Sequence, residues 1–375
     1  MKRAMKHIVL LFFVLFLFTD CNNVNKGKEV IKIGATLDFT GPNAVYGIQV
    51  KEGIDLAVDF INDTLKYGNN VIEVDYLDSK SNSKEAINNA NRFTSIDKKK
   101  FIIGEISSNA TKSMIPVIES NNAFLFAPAS SGSILADISN NFARNWPSDD
   151  IEAGYAAKFA LNNFKSNNPI IIYVNSYYGI GLKDKFKNVY MQNGKQIMDT
   201  LSFEVDQTDF KSLISKVKEK NPDCIYLAGN PKEMGRFMKQ LSEQNYRNNI
   251  VSNTGFLQTD CLGIAGIAAN GVVVPTPKSS DLNLKLNSVK RFQKMFYNTY
   301  KKEPTLVNAN SFDAIILIYD AIQKVGQDAI KVARDIRNKK GFEGASGISN
   351  FSDGEIELEI MYVRIENQKP VEITE

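Results

Sequence analysis

Two hydrophobic periods take turns along this chain. Val30 to Leu37 reads as a buried strand, Gly41-Pro42 breaks it, and Val50, Ile54, Ala57, Val58 and Ile61 then fall at the one-face spacing of an amphipathic helix. The unit repeats: strands are predicted over 71–77, 101–104 and 123–127, with helices near 47–64, 83–95 and 111–120. After Trp146-Pro147 a second set begins, with strands over 170–174, 201–205, 224–228 and 250–252. Leu182, Phe186, Val189 and Tyr190 mark one of its helices, and Phe210, Leu213, Ile214 and Val217 the next. A third section opens with a strand from Gly271 to Pro275 and continues with helices at about 286–300 and 308–325. Strict alternation of strand and helix predicts an α/β fold with parallel sheets covered on both faces, and two sets of strands predict two lobes.

The first twenty residues change the picture of where the protein works. Lys2, Arg3 and Lys6 precede an apolar run from Ile8 to Phe18, too short to span a membrane and the right length for the core of an export signal. Cys21 follows, so the junction resembles a lipobox, in which the thiol takes a diacylglycerol after cleavage; Phe18, Thr19 and Asp20 depart from the usual residues there. An ordinary secreted protein and an uncleaved anchor are the alternatives. Residues 1–20 are thus expected to be a lipoprotein signal peptide and residues 21–29, NNVNKGKE after the cysteine, a flexible tether.

Composition removes several function classes. Residues 1–20 hold three of the 45 basic and one of the 42 acidic residues, so the remainder is within one charge of neutrality. No basic cluster exceeds Lys98-Lys99-Lys100, and no nucleic-acid partner is expected. His7, the sole histidine, lies in the signal, which leaves no Ser-His-Asp triad, Cys-His pair or histidine-based zinc site. No metal or cofactor motif is found, GxxxxGK[ST] included, and the chain is not expected to be an enzyme. Cys224 and Cys261 could form one disulfide, although Cys224 in the apolar run DCIYLAG suits a buried small hydrophobe better.

The run Ile31 to Asn62, IKIGATLDFTGPNAVYGIQVKEGIDLAVDFIN, resembles the opening of type I periplasmic solute-binding proteins, and the closing GFEGASGISNFSDGEIELEIMYVRIENQK is similar to that family's last crossover and hairpin. Within the family the chain most resembles the branched-chain amino-acid (Leu/Ile/Val) binding proteins. The resemblance covers nearly all of residues 30–370. It implies two Rossmann-like lobes with parallel sheets, joined by a three-strand hinge that crosses near residues 146, 275 and 348. Lobe 1 would hold 30–146 and 276–347, and lobe 2 would hold 147–275 and 348–375. Such a hinge lets two rigid bodies close over a ligand.

Site residues are expected in loops at the carboxyl ends of the first lobe's strands, where open α/β sheets bind ligands. Glu105 to Thr111 leads from a strand into a helix, and its small hydroxyls and helix amides suit a carboxylate; Ala127 to Gly132 forms a second such loop. Helix capping by Ser and Thr explains any single hydroxyl equally well. The candidates in these loops are Ser107, Ser108, Ala129, Ser130 and Ser131. The resemblance assigns the ligand carboxylate to Ser108, Ala129 and Ser131. It adds Tyr46 from the first loop, and Tyr178 of the sequence Tyr178-Gly179-Ile180-Gly181 from the second lobe. Thr254 stands where the family usually places an acid for the ligand ammonium, and Ala228-Gly229-Asn230-Pro231 lacks an aromatic residue found in close relatives. Asp38 and Glu105 are the candidates for a replacement acid, or the ligand is not a zwitterion. Trp146 is assigned to hinge packing before cleft lining.

The implied function is capture of a small polar solute, an amino acid or related carboxylate or amide, by a monomer in the cell envelope. A lipid anchor would hold it on the periplasmic or outer-surface side of a membrane, and it would deliver its ligand to an ABC permease. A ligand-sensing module that signals to a membrane receptor without transport is the alternative from another class.

Overall fold

The computed structural model describes residues 29–64, 70–278 and 286–373; the signal, Cys21 and the rest of the tether up to residue 28 lie outside the described residues. The first section of chain runs β1 (Glu29–Leu37), α1 (Ala44–Asp59), β2 (Asn70–Asp78), α2 (Ser83–Asn91), β3 (Phe101–Ile103), α3 (Ser108–Ser120), β4 (Phe124–Ala127) and β5 (Phe142–Arg144). The second runs α4 (Asp149–Asn162), β6 (Pro169–Val174), α5 (Tyr177–Gln192), β7 (Asp199–Phe203), α6 (Lys211–Lys220), β8 (Cys224–Ala228), α7 (Pro231–Glu243), β9 (Ile250–Ser252), α8 (Thr259–Ala265) and β10 (Val273–Pro277). The third holds α9 (Asn287–Tyr300), α10 (Leu306–Val325), α11 (Ala329–Arg337), β11 (Phe342–Gly344), β12 (Gly347–Ser352), β13 (Glu355–Glu357), β14 (Ile360–Glu366) and β15 (Lys369–Ile373).

The first sheet is parallel throughout, in the order β2-β1-β3-β4-β5. Its strands alternate between two cores, because successive side chains of a strand point to opposite faces. Phe101, Ile103, Phe124 and Phe126 join α1, α10 and α11 on one face, while Ile102 and Leu125 join α2 and α3 on the other. The second sheet, β15-β14-β10-β9-β8-β6-β7, sorts its residues likewise: Ile170, Ile172, Ile225 and Leu227 face α6 and α7, and Ile171, Cys224 and Tyr226 face α4 and α5. Burial on both faces is why these strands read as continuous apolar runs.

The structure departs from the sequence expectations at four places. The second sheet is mixed, since β14 runs antiparallel to β10 and β15 antiparallel to β14. The hairpin turns at Asn367-Gln368, both with positive φ, the arrangement that matches strand twist in a two-residue loop. The third crossing falls at Leu358-Glu359 rather than near 348: Phe351 and Ile356, expected in lobe 2, are buried in the first lobe's core, and Phe351 sits edge-on to Phe126 at 6.4 Å. β7 begins and ends two residues earlier than expected. Leu201, Phe203 and Val205 alternate identically in either register, but the ladder with β6 ends at Phe203. Helix α4 carries no clear period because it is enclosed, with Ala153, Gly154, Ala156, Ala157, Phe159, Ala160 and Leu161 buried around most of its circumference. Cys224 and Cys261 are free and buried.

Candidate functional site

Loops leave the carboxyl ends of β1, β3 and β4 on one side of the first sheet. Facing them are the start of α5 and the loops after β8 and β9. Between the two sets lies a cavity of about 160 Å³, close in size to a void that holds one benzene ring. The lobes touch around it: Gln49 Nε2 donates to Gln258 Oε1 (3.1 Å), the Tyr177 amide to Asn109 Oδ1 (3.3 Å), and the Ser133 amide to Asp149 Oδ2 (3.2 Å).

Seven of the eight expected ligand residues line this cavity: Tyr46, Ser107, Ser108, Ala129, Ser131, Tyr178 and Thr254. Ser130 does not. It is fully buried behind its loop, where its hydroxyl oxygen accepts from Thr111 Oγ1 (3.0 Å), since its neighbours in the extended stretch face the other way. Ser107 occupies the N-cap position of α3 without a side-chain capping bond, so capping does not account for its hydroxyl. Ser108 Oγ accepts from the Gly132 amide (2.9 Å) and ties the two hydroxyl-bearing loops together.

Arg144, at the end of β5, holds the second of these loops from behind. Fully buried, it donates through Nη1 to the carbonyls of Ser130 (3.3 Å) and Gly132 (2.9 Å), and through Nε and Nη2 to Glu355 (2.6 to 2.9 Å). On the second lobe, Asn253 Nδ2 donates to the Tyr178 hydroxyl (2.5 Å) and to Gly229 O (3.1 Å), which joins the start of α5 and the loops after β8 and β9 in one network. Gly179, the next residue in α5, lies against the Val174 carbonyl so closely that a Cβ there would come within 2.0 Å of it. Trp146 lines the cavity and packs into the first core, so the two roles considered for it coincide.

The replacement acids expected from the sequence are not at the cavity. Asp38 is buried and accepts from the hydroxyls of Ser79 (2.6 Å) and Ser81 (2.7 Å). Glu105 accepts from Thr36 Oγ1 (3.2 Å), and burial, followed by the charge of Asp38, holds its carboxyl well above the usual range. The acids that do approach the cavity walls are Asp149 and Glu152 of α4. Burial pushes Asp149 up to about 7, against the lowering effect of Ser131 and Arg144, and pushes Glu152 up to about 8, against that of the Thr254 amide and hydroxyl. In sequence these acids look like residues that favour a helix amino terminus, which hides Glu152. Also in the lining are Pro231, just past the end of β8 where no periodicity marks it, and Val205, expected within a strand but placed past the end of β7. Among the described residues no cluster of histidine, cysteine or carboxylate side chains is arranged to hold a metal ion.

Two α/β lobes joined by three crossings around a polar cavity define a bilobal solute-binding protein. The chain belongs to the periplasmic binding protein family, whose sequence profile matches residues 30–369. It is 26% identical over 329 residues to Leu/Ile/Val-binding protein homolog 1 of Brucella abortus, covering 86% of each chain. It is 27% identical over 320 residues to the Leu/Ile/Val-binding protein BraC3 of Rhizobium johnstonii, covering 84% of this chain and 86% of that one. The structure is similar to that of a leucine-binding protein, LivK, from Thermotoga maritima, with a TM-score of 0.85, 27% identity, and 92% and 98% of the two chains covered. A solute-binding protein from Rhodopseudomonas palustris in complex with benzoate shares the fold at a TM-score of 0.82 and 18% identity, with 92% and 95% covered.

Proposed function

We propose that this protein captures a small carboxylate-bearing solute, an amino acid or a related carboxylate or amide, by closing its lobes, and delivers it to an ABC permease. One observation carries the reading: two hydroxyl-bearing loops, one at the amino terminus of α3 and one after β4, converge on a single cavity opposite Tyr178 and Thr254. Helix amides and hydroxyls together make a receptor for an anion, and the tyrosine rings can cover its apolar part. Ser107, Ser108, Ala129 and Ser131 are assigned to the carboxylate, and Tyr46, Tyr178 and Thr254 to the rest of the ligand. The relatives named as leucine and Leu/Ile/Val binders make aliphatic amino acids the first solutes to try.

A thermal-shift panel of amino acids, amides and small carboxylates tests this. Ligand at a hundred times its Kd adds about 2.7 kcal/mol to the folded state and raises Tm. Calorimetry of the best solute on Ser108→Ala and Ser131→Ala then tests the carboxylate assignment. Each change is expected to cost about 1.5 to 3 kcal/mol of binding, at least tenfold in affinity. Ser108→Ala should also lower stability, because the Gly132 amide loses its acceptor. Stabilisation by nucleotides or metals alone would refute the solute reading, and unchanged affinity in both variants would refute the assignment.

Anchoring through Cys21 is part of the same proposal, resting on the apolar segment before it. Detergent-phase partitioning tests it: the native protein should enter the detergent phase and Cys21→Ala the aqueous one, and equal partitioning would remove the anchor.

A further inference from the structure

The cleft uses the carboxyl ends of the first sheet's strands, and the chain enters the fold at the opposite edge of that sheet, at Glu29. The segment between α2 and β3 lies beside this entry. β1 and β3 are neighbours, with Ile33 opposite Phe101, so Lys98 to Lys100 approach the start of β1, and Lys99 Nζ donates to Ile33 O (3.4 Å). Backbone bonds fix the segment's shape: the Asp97 amide donates to Arg92 O (2.9 Å) and the Lys99 amide to Phe93 O (2.8 Å). Within one turn, Phe93 is buried in the core under α2 and α3, whereas Ile96 is 73% exposed; of the large apolar side chains described, only Ile267, at 80%, is more so.

A single exposed isoleucine is ordinary on a protein surface, but this one stands among cations. Arg92, Lys98 and Lys100 are exposed on either side of it, and Lys32 and Lys99 lie next to them at the sheet edge. The acids of the same patch are Asp97, 3.9 Å from Arg92, Asp75, paired with Lys99, and Glu73, the strand partner of Lys32. Five cations against three acids leave a surplus of two, in a chain that is within one charge of neutrality after residue 20. Asp59 and Asp63, at the end of α1 and just past it, belong to the other face of the sheet.

The chain that leads into this edge indicates what covers it. Cys21 and Glu29 are eight residues apart, a span of at most about 28 Å when fully extended. A lipid on Cys21 therefore holds this edge of lobe 1 close to a bilayer, and Lys26 and Lys28 bring further positive charge to it. An anionic leaflet attracts basic residues within about 8 to 10 Å, and a short tether supplies an effective concentration on the order of millimolar, so a weak contact is enough. An apolar side chain ringed by cations suits the headgroup region, with the one reaching the acyl boundary and the others the phosphates.

We propose that the segment from Arg92 to Lys100 is a membrane-contact surface: Ile96 enters the headgroup region of an anionic phospholipid bilayer, and Arg92, Lys98 and Lys100 meet the lipid phosphates. The assignment rests on the anchoring through Cys21 proposed above. Lobe 1 then stands on the edge where β1 begins. The cleft, at the other end of the same strands, faces away from the bilayer toward arriving solute. None of these residues lines the cavity, so the contact and solute binding are separable.

The experiment places a fluorophore at Ile96→Cys and, as the control, at Ile267→Cys in the full lipidated chain; Cys224 and Cys261 are buried and escape the label. Each protein is reconstituted in vesicles carrying a headgroup nitroxide, either of phosphatidylcholine alone or with about a quarter phosphatidylglycerol. Quenching of about twofold or more is expected at position 96 in the anionic vesicles, with little in the neutral ones and little at position 267 in either. Raising salt from about 0.05 to 0.5 M should weaken it. Arg92→Glu with Lys98→Glu and Lys100→Glu should abolish it, while flotation with vesicles and solute affinity stay as in the native protein. Hydrogen exchange on the unlabelled chain is the second measurement, independent of the label: amides of residues 94–100 should be better protected on anionic than on neutral vesicles. Flotation without quenching at 96, equal quenching at 96 and 267, quenching indifferent to phosphatidylglycerol, or quenching that survives the triple variant would overturn the surface and leave the anchor intact. A native protein that does not float with vesicles would overturn the anchor and this surface with it.

Discussion

Arg144→Ala should destabilise the protein by about 3 to 5 kcal/mol, the cost of breaking a buried charge pair from one side. Arg144 is fully buried, whereas Glu355 is 26% exposed, so the loss on the Glu355 side is softened by water. Most of the penalty falls on the carbonyls of Ser130 and Gly132, which lose their donor in a dry region. Urea unfolding at neutral pH measures it, and a loss under about 1 kcal/mol would contradict the role given to this side chain. The ligand should be affected independently, because those two carbonyls flank Ser131. An apolar pair, Arg144→Met with Glu355→Leu, should recover much of the stability, as such replacements of buried ion pairs do. It should not recover affinity, since methionine cannot hold the loop. Recovery of both by the double variant would mean that the loop keeps its shape without the guanidinium.

Gly47→Ala is the second large effect. A Cβ at Gly47 would lie 1.9 Å from the carbonyl oxygen of Asp38 and 2.5 Å from its carbonyl carbon. The obstacle is backbone at the end of β1, which cannot rotate aside, so the start of α1 must lift away from the sheet. Overpacking of this kind costs about 1 to 3 kcal/mol. Because Tyr46 is the adjacent residue and lines the cavity, affinity should fall at least tenfold along with stability. Gly263→Ala provides the contrast. This glycine lies inside α8, and a Cβ added there would meet nothing within 4 Å, so alanine should add up to about 1 kcal/mol through helix propensity. Thermal unfolding of both variants checks the pair, and equal effects would show that close approach to Asp38 is not what requires glycine at 47.

The elements most legible in the sequence are those with sharp edges. β8 and β9 occupy Cys224–Ala228 and Ile250–Ser252, as their apolar runs between polar and turn residues predict. The cleft residues Tyr46, Ser108, Ala129 and Tyr178 are legible for a related reason: each stands in a loop after a strand or in the first turn of the helix that follows, and parallel α/β order brings such segments to one edge of a sheet. The direction of the Ser130 hydroxyl is not legible, because alternation in a loop has no hydrophobic partner residue to reveal its phase. β12 and β13 show a further boundary of local information. Their alternating residues say that one face is buried, but the choice between the first core, which Phe351 and Ile356 enter, and the second sheet, which β14 joins just after β13, is made by packing between segments far apart in the chain.

Glu152 marks the same boundary within the site. Its place after Asp149 and Asp150 accounts for it fully as a helix-start acid while the chain is read as a line. Its meaning comes from Thr254, 102 residues later in the chain, whose amide it accepts, and from Tyr46 of the other lobe. Period, punctuation and charge act over a few residues, and so they settle which segments are strands or helices and which face each one buries. Electrostatic environment depends on burial and on neighbours from distant segments, and so the identity of the acid beside the cleft, the anchor that Arg144 gives to the Ser131 loop and the position of the last crossing exist only once both lobes have folded together.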